Sequence, residues 1–190
     1  MNEPAAPHGE VAVMVAVQSA LAARPGMVTG ARALSHFGEH AAGWLGLAAA
    51  GASLNRSRRR DWLVAAAGTL AAHAAAVVVK RVIRRQRPHH PAVAVNVATP
   101  SALSFPSAHA TSTTAAAILL GRITGWPLPA VLIPPMALSR ILLGVHYPSD
   151  VAAGVLVGAA VAAGARALDG ALGGAPDAPQ SRTEGTSAGP

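Results

Sequence analysis

Charge in this chain is confined to the gaps between apolar stretches, and that placement constrains the fold more than any other feature. Asp61 to Val79 holds one ionisable side chain in its interior, His73, and as an α-helix it reaches about 28 Å, close to the hydrocarbon thickness of a bilayer. Gly38–Leu54, Ser107–Ile123, Trp126–Val145 and Ser149–Leu168 read the same way, with Pro134-Pro135 expected to interrupt the fourth of these five stretches. Trp62 and Trp126 stand at stretch boundaries, where interfacial aromatics belong, and the abundant Ala and Gly allow helices to approach closely. The expected fold is an all-α polytopic membrane bundle of about five transmembrane helices plus one short N-terminal helix.

That short helix spans Glu10 to Ala23 and ends at Arg24-Pro25-Gly26. Its apolar run, Val11–Val17, is too short to cross a bilayer and has no basic n-region, so it reads as an interfacial or packed helix and not as a signal peptide. The domain reading is an N-terminal segment at 1–32, a membrane domain at 33–168 and a Gly/Pro/Ser-rich disordered tail at 169–190.

Apolar residues make up 52% of the chain and charged residues 12%, too few charges for an ordinary soluble surface. A soluble Ala-rich helical bundle is the alternative, but it would not require its charges to fall between the apolar runs. No cysteine is present, which excludes disulfides, thiolate metal sites and a cysteine nucleophile. The net charge of +7 does not indicate nucleic acid, because the Arg residues flank apolar stretches without an aromatic platform. Under this topology the basic residues divide equally between the two membrane faces, so they do not fix the orientation.

Three segments carry chemistry. In Lys80-Arg81-Val82-Ile83-Arg84-Arg85-Gln86-Arg87-Pro88, helical spacing puts Lys80, Arg84 and Arg87 on one face, fit either for phosphate or for anionic headgroups at a helix end. In Pro106-Ser107-Ala108-His109, Ser107 caps a helix whose first N–H groups form an anion site, with His109 in the first turn. In the third, Ser139-Arg140 is followed by His146 and Asp150, so that a charge at the end of an apolar helix precedes an imidazole with a carboxylate four residues on. Asp150 is the only acidic residue between Asp61 and Asp169, so a carboxylate metal site is hard to complete. Each segment alone also reads as an ordinary helix stop or cap. Together they gather cations, a helix N-terminus, two His and one Asp at one membrane face, a set suited to phosphoryl transfer.

The three segments resemble the tripartite signature of the type 2 phosphatidic acid phosphatase superfamily: K-x6-R-P, P-S-G-H and S-R-x5-H-x3-D. Order and internal spacing agree throughout, and Ala108 stands where that signature has Gly. The resemblance implies a metal-independent, cofactor-free phosphatase. It makes His146 the nucleophile that forms a phosphohistidine, Asp150 the carboxylate that holds its ring, and His109 the acid and then the base. Lys80, Arg87, Ser107, the Ala108 amide and Arg140 become the phosphate-binding set. The stretch from Ala33 to Asp150 resembles a small actinobacterial subgroup linked to removal of the 5-phosphate from decaprenylphosphoryl-5-phosphoribose in arabinan precursor synthesis. Undecaprenyl diphosphate and phosphatidylglycerophosphate are the alternative substrates. The expected partners are therefore an amphiphilic phosphate lipid and the cell membrane, not nucleic acid. The alternative of a different class is a non-catalytic lipid-binding or transport protein. His89 and His90 read as loop residues, and His36, Glu39 and His40 as residues facing headgroups or shaping a substrate mouth.

Overall fold

The computed structural model describes residues 6–173 as seven α-helices joined by loops, with one isolated antiparallel bridge, Gln86 to Leu103. In order they are α1 (Gly9–Leu21), α2 (Met27–Gly38), α3 (Ala42–Leu54), α4 (Arg59–Ile83), α5 (Ala108–Thr124), α6 (Leu128–Leu142) and α7 (Pro148–Gly173). Short 3₁₀ turns, Glu39–Ala41 and Arg56–Arg58, precede α3 and α4.

α5 is the axis of the bundle. It is buried without a break from Ala110 to Ala117, and α4, α6 and α7 surround it. Its hydroxyls return to its own backbone, Thr111 Oγ1 donating to the Ser107 carbonyl at 2.9 Å and Ser112 Oγ to that of Ala108 at 3.0 Å. Thr113 Oγ1 accepts from the indole of Trp44 on α3 at 3.1 Å. These three polar side chains are thus tolerated at the centre because each finds a partner, whereas the buried Thr114 hydroxyl has none among the described residues.

Small residues face inward and large ones outward. α4 buries Ala65, Gly68, Thr69, Ala72 and Ala76, while Leu63, Leu70, Val78 and Val82 are exposed. α7 buries Gly154, Gly158 and Ala162 against α5, while Leu156 and Leu168 face out. A Cβ on Gly154 would lie 2.7 Å from the Ser107 carbonyl oxygen, and one on Gly158 would strike that of Thr111. Close backbone approach with apolar bulk outside is the packing of helices in lipid. Two helical segments, Arg56–Ile83 and Pro148–Gly173, are long and apolar enough to cross a membrane, and only 28% and 22% of their apolar windows are buried. The core helix of a soluble protein would be mostly covered.

Several expectations shift. α2 was not anticipated, and the expected boundary between 32 and 33 falls inside it. α3 starts at Ala42 rather than Gly38 and has 13 residues, about 20 Å, short of a hydrocarbon core. α6 runs through Pro134 and Pro135 without a break. α7 continues through Asp169 to Gly173, and Arg60 pairs with Asp169 at 3.0 Å, so 169–173 are helix and not tail. The remainder of the expected tail, 174–190, lies outside the described residues. α1 is a packed helix: Met14 and Gln18 are buried, and the Gln18 amide donates to the carbonyls of Ala94 at 2.7 Å and Leu142 at 3.0 Å.

Candidate active site

The C-terminal ends of α4 and α6 and the N-terminal ends of α5 and α7 meet at one end of the bundle, and the three chemistry-bearing segments meet there with them. α4 ends at Ile83 because Arg84 turns left-handed (φ 54), its N–H donating to the Lys80 carbonyl at 3.0 Å. The turn removes Arg84 from the face of Lys80, so the expected Lys80–Arg84–Arg87 helical face does not form. The chain then runs extended, held by Ser104 N–H to the Arg85 carbonyl at 2.7 Å and Arg87 N–H to that of Ala102 at 3.1 Å.

Lys80 is buried, and its ammonium donates to the carbonyls of Leu103, Ser104 and Pro106 at 3.0, 3.1 and 3.1 Å. An ammonium has three donors, so all are committed to the loop that leads into α5. Ser107 Oγ caps α5, accepting from the Ala110 amide at 3.4 Å, and Ser107 N–H donates to the Asp150 carbonyl at 2.9 Å. The amides of Ala108 and His109 are in the first turn, where a helix has no internal acceptor for them.

Arg87 donates from Nε to the Ser101 carbonyl at 2.8 Å and from Nη1 to that of Val145 at 2.7 Å, and Nη1 lies 3.2 Å from His146 Nε2. A guanidinium only donates, so Nε2 accepts and the proton of the neutral ring sits on Nδ1. Nδ1 in turn faces Asp150 Oδ2 at 3.6 Å, an ion-pair distance beyond hydrogen-bond length. Burial, and then the charges of Arg87, Arg140 and Lys80, hold the His146 imidazolium well below its ordinary range, so the ring is neutral near pH 7. Burial likewise lowers Arg87 to about 10, which leaves it charged. His109 Nε2 lies 2.9 Å from the Ser35 carbonyl, an acceptor, so Nε2 carries the proton and Nδ1 has the free lone pair.

Arg140 is 1% exposed, and its Nε and Nη1 have no hydrogen-bond partner among the described residues. A buried guanidinium without partners is costly unless an anion completes it. It lines a cavity of about 310 Å³ with Lys80, Arg87, Ala108, His109 and His146. His36, Glu39, His40 and His73 line the same cavity, while His89 and His90 do not. Ser107 and Asp150 stand behind its wall.

Three residues around the site were not singled out from sequence. Arg85 donates from Nη1 to Asp150 Oδ1 at 2.9 Å and to Ser149 Oγ at 2.6 Å, and from Nη2 to Glu10 Oε2 at 2.7 Å. Its guanidinium stacks on Tyr147, 4.1 Å from the ring centroid. Glu10 Oε1 accepts from the Ser149 amide at 2.7 Å. Burial opposes the Arg85 charge, but the Glu10 and Asp150 carboxylates outweigh it and raise the group above its ordinary value. Ser35 acts through its carbonyl alone. A carboxylate at the first turn of α1 and an additional Arg inside the basic run were the available signals, and neither says which partner it meets.

The PAP2 superfamily profile matches residues 61–171. Two strains of Mycobacterium tuberculosis each have a protein called decaprenylphosphoryl-5-phosphoribose phosphatase that is 73% identical over 158 residues, covering 83% of this chain and 89% of theirs. The protein of the same name in Mycolicibacterium smegmatis is 70% identical over 149 residues, covering 78% of this chain and 83% of its own length. The crystal structure of the first transmembrane PAP2 type phosphatidylglycerolphosphate phosphatase from Bacillus subtilis superposes with a TM-score of 0.63 at 22% identity, covering 85% of this chain and 86% of that one, a likeness of fold. A helical bundle with its large apolar side chains on the outside, a buried guanidinium facing two imidazoles and a profile match over more than half the length agree with one another, and the chain belongs to the PAP2 superfamily as a membrane phosphatase.

Proposed function

We propose that this chain crosses the cell membrane several times and removes the 5-phosphate of decaprenylphosphoryl-5-phosphoribose, leaving the lipid-linked ribose and inorganic phosphate. The substrate follows from the mycobacterial relatives. The chemistry rests on one observation, the Arg140 guanidinium buried beside His146 and His109 with its Nε and Nη1 lacking a hydrogen-bond partner among the described residues.

In this reading the phosphate sits between Arg140, Arg87 and the amides of Ala108 and His109. Ala108 replaces Gly without removing the amide, so the contact is retained. Lys80 acts by holding the loop before Ser107 and by its charge. His146 Nε2 attacks phosphorus in line, forming an N–P bond as the bond to the ribose oxygen breaks. Asp150 closes on the Nδ1 proton as the ring becomes positive. His109 Nδ1, its ring fixed by the Ser35 carbonyl, takes the proton that the monoanionic phosphate monoester carries in and passes it to the leaving oxygen, which returns Nδ1 to its unprotonated form. It then takes a proton from the water that cleaves the N–P bond. Positioning and charge supply most of what such a transfer requires, and the general acid adds about 10²–10⁴-fold.

Phosphate release by the purified protein in detergent with EDTA tests the reading. The panel holds decaprenylphosphoryl-5-phosphoribose, undecaprenyl diphosphate, phosphatidylglycerophosphate and phosphatidic acid, with His146→Ala as control. Preferred release from the phosphoribosyl lipid, absent in the variant, is expected. Preference for another member reassigns the substrate, and release by the variant removes the mechanism.

A further inference from the structure

The cavity continues past its phosphate-binding end to a second group of polar side chains that the reaction above does not use. His73 lies seven residues before Lys80 on α4, two turns or about 10 Å back along the helix, in an otherwise apolar stretch. An ionisable residue inside such a stretch is costly and marks function. It lines the cavity, and its Nδ1 is buried with no hydrogen-bond partner among the described residues. His40 lines the same space from the turn between α2 and α3, its ring centroid 5.9 Å from that of His73. That turn places two successive non-glycine residues in the left-handed region, His40 at φ 50 and Ala41 at φ 60. L-residues adopt this region at a cost, which persists where a specific side-chain placement repays it.

We infer that His40 and His73 form a subsite for the hydroxyls of a sugar lying between the scissile phosphate and the lipid. A neutral imidazole offers one donor and one acceptor, and so does each hydroxyl, so the pair can grip a furanose edge from two directions. A diacylglycerol phosphate offers no free hydroxyl there and leaves Nδ1 of His73 unmatched. A cavity of about 310 Å³ is at the small end of ligand pockets, so it fits a headgroup and leaves the long isoprenoid outside. The subsite rests on the phosphoribosyl-lipid reading above and names the residues that select that substrate.

The test compares decaprenylphosphoryl-5-phosphoribose with phosphatidic acid, using the full chain in detergent. His73→Phe and His40→Ala are each expected to lower the ratio of kcat/KM values at least tenfold, through KM for the sugar lipid. His73→Asn, which keeps a donor and an acceptor, is expected to recover most of the ratio. His40 sits on an exposed turn, so its variant carries the test if His73→Phe does not fold. A ratio unmoved in the variants, or an equal loss on both substrates, overturns the subsite alone. A wild-type protein that does not prefer the sugar lipid overturns both the substrate reading and the subsite.

Discussion

Arg85 and Asp150 meet at 2.9 Å, and the same guanidinium reaches Glu10 at 2.7 Å, so the first helix of the chain is tied directly to the carboxylate behind His146. Asp150 is fully buried, and its second oxygen accepts from the Tyr147 amide at 2.9 Å while facing His146. Both oxygens are therefore fixed, one by Arg85 and one by the α7 entry, and the carboxylate cannot turn away from the imidazole.

Arg85→Gln is expected to lower kcat with little change in KM. Hydrogen bonds to charged groups contribute about 1.5–3 kcal/mol, which corresponds to a loss of about 10- to 150-fold. Glu10→Gln, which leaves Arg85 on Asp150, is expected to lose less. Steady-state kinetics on the two variants measure this, and an Arg85→Gln protein with normal kcat removes the tie from the reaction.

His146→Ala is expected to abolish turnover by at least about 10³-fold, as loss of a nucleophile does. Asp150→Asn is expected to fold and react slowly, because the ring keeps its place but loses the charge that stabilises its positive form. Alkaline-quench detection of a labelled phosphohistidine, whose N–P bond is lost in acid, separates them, with label on the Asp150→Asn protein and none on the His146→Ala protein.

The His146 ring is expected to titrate below the ordinary imidazole value of 6.5, because burial and three neighbouring cations disfavour its charge. A folded-state value below that of the unfolded chain means that the unfolded chain binds the proton first. The stability linked to this ring is present above pH 6.5 and declines as pH falls below it. Labelled-histidine NMR, with the His146→Ala spectrum to assign the signal, measures the midpoint. A midpoint at or above 6.5 contradicts the expectation.

Arg140→Leu is expected to be inactive and no less stable than the native protein. Replacing a buried, partnerless charge with an apolar side chain is neutral or stabilising. Inorganic phosphate is expected to raise the Tm of the native protein and not that of the variant. Equal stabilisation of both places the anion elsewhere.

Gly158→Leu is expected to destabilise the bundle, because the added Cβ strikes the Thr111 carbonyl and forces α7 away from α5. Overpacking of this kind costs about 1–3 kcal/mol. Thermal unfolding in detergent should show a lower Tm, whereas Leu156→Ala on the exposed face should change little.

Local pattern accounts for what was legible in the sequence. The long apolar runs of α4 and α7, the Ser107 cap of α5 and the spacing within each chemical segment are properties of neighbours in the chain, and periodicity and capping report neighbours. α2 escaped because Met27–Gly38 mixes Arg, His, Ser and Gly with its apolar residues and so offers no long apolar run; its apolar residues Met27, Val28, Ala31 and Leu34 nevertheless recur at helical spacing on one face, and it packs against α6. Arg84 was grouped with Lys80 by helical spacing, but its left-handed turn ends the helix one residue earlier.

By itself the sequence determined the class: an all-α membrane bundle of the PAP2 superfamily, with phosphate chemistry gathered at one end. Only the tertiary structure decided how those groups divide the work. It committed Lys80 to three carbonyls and left Arg140 Nε and Nη1 without a hydrogen-bond partner among the described residues. It also gave Asp150 to Arg85, and Arg85 to Glu10, 75 residues away. Hydrogen bonds between distant segments depend on which donors remain free after the helices pack, and no local spacing encodes that competition.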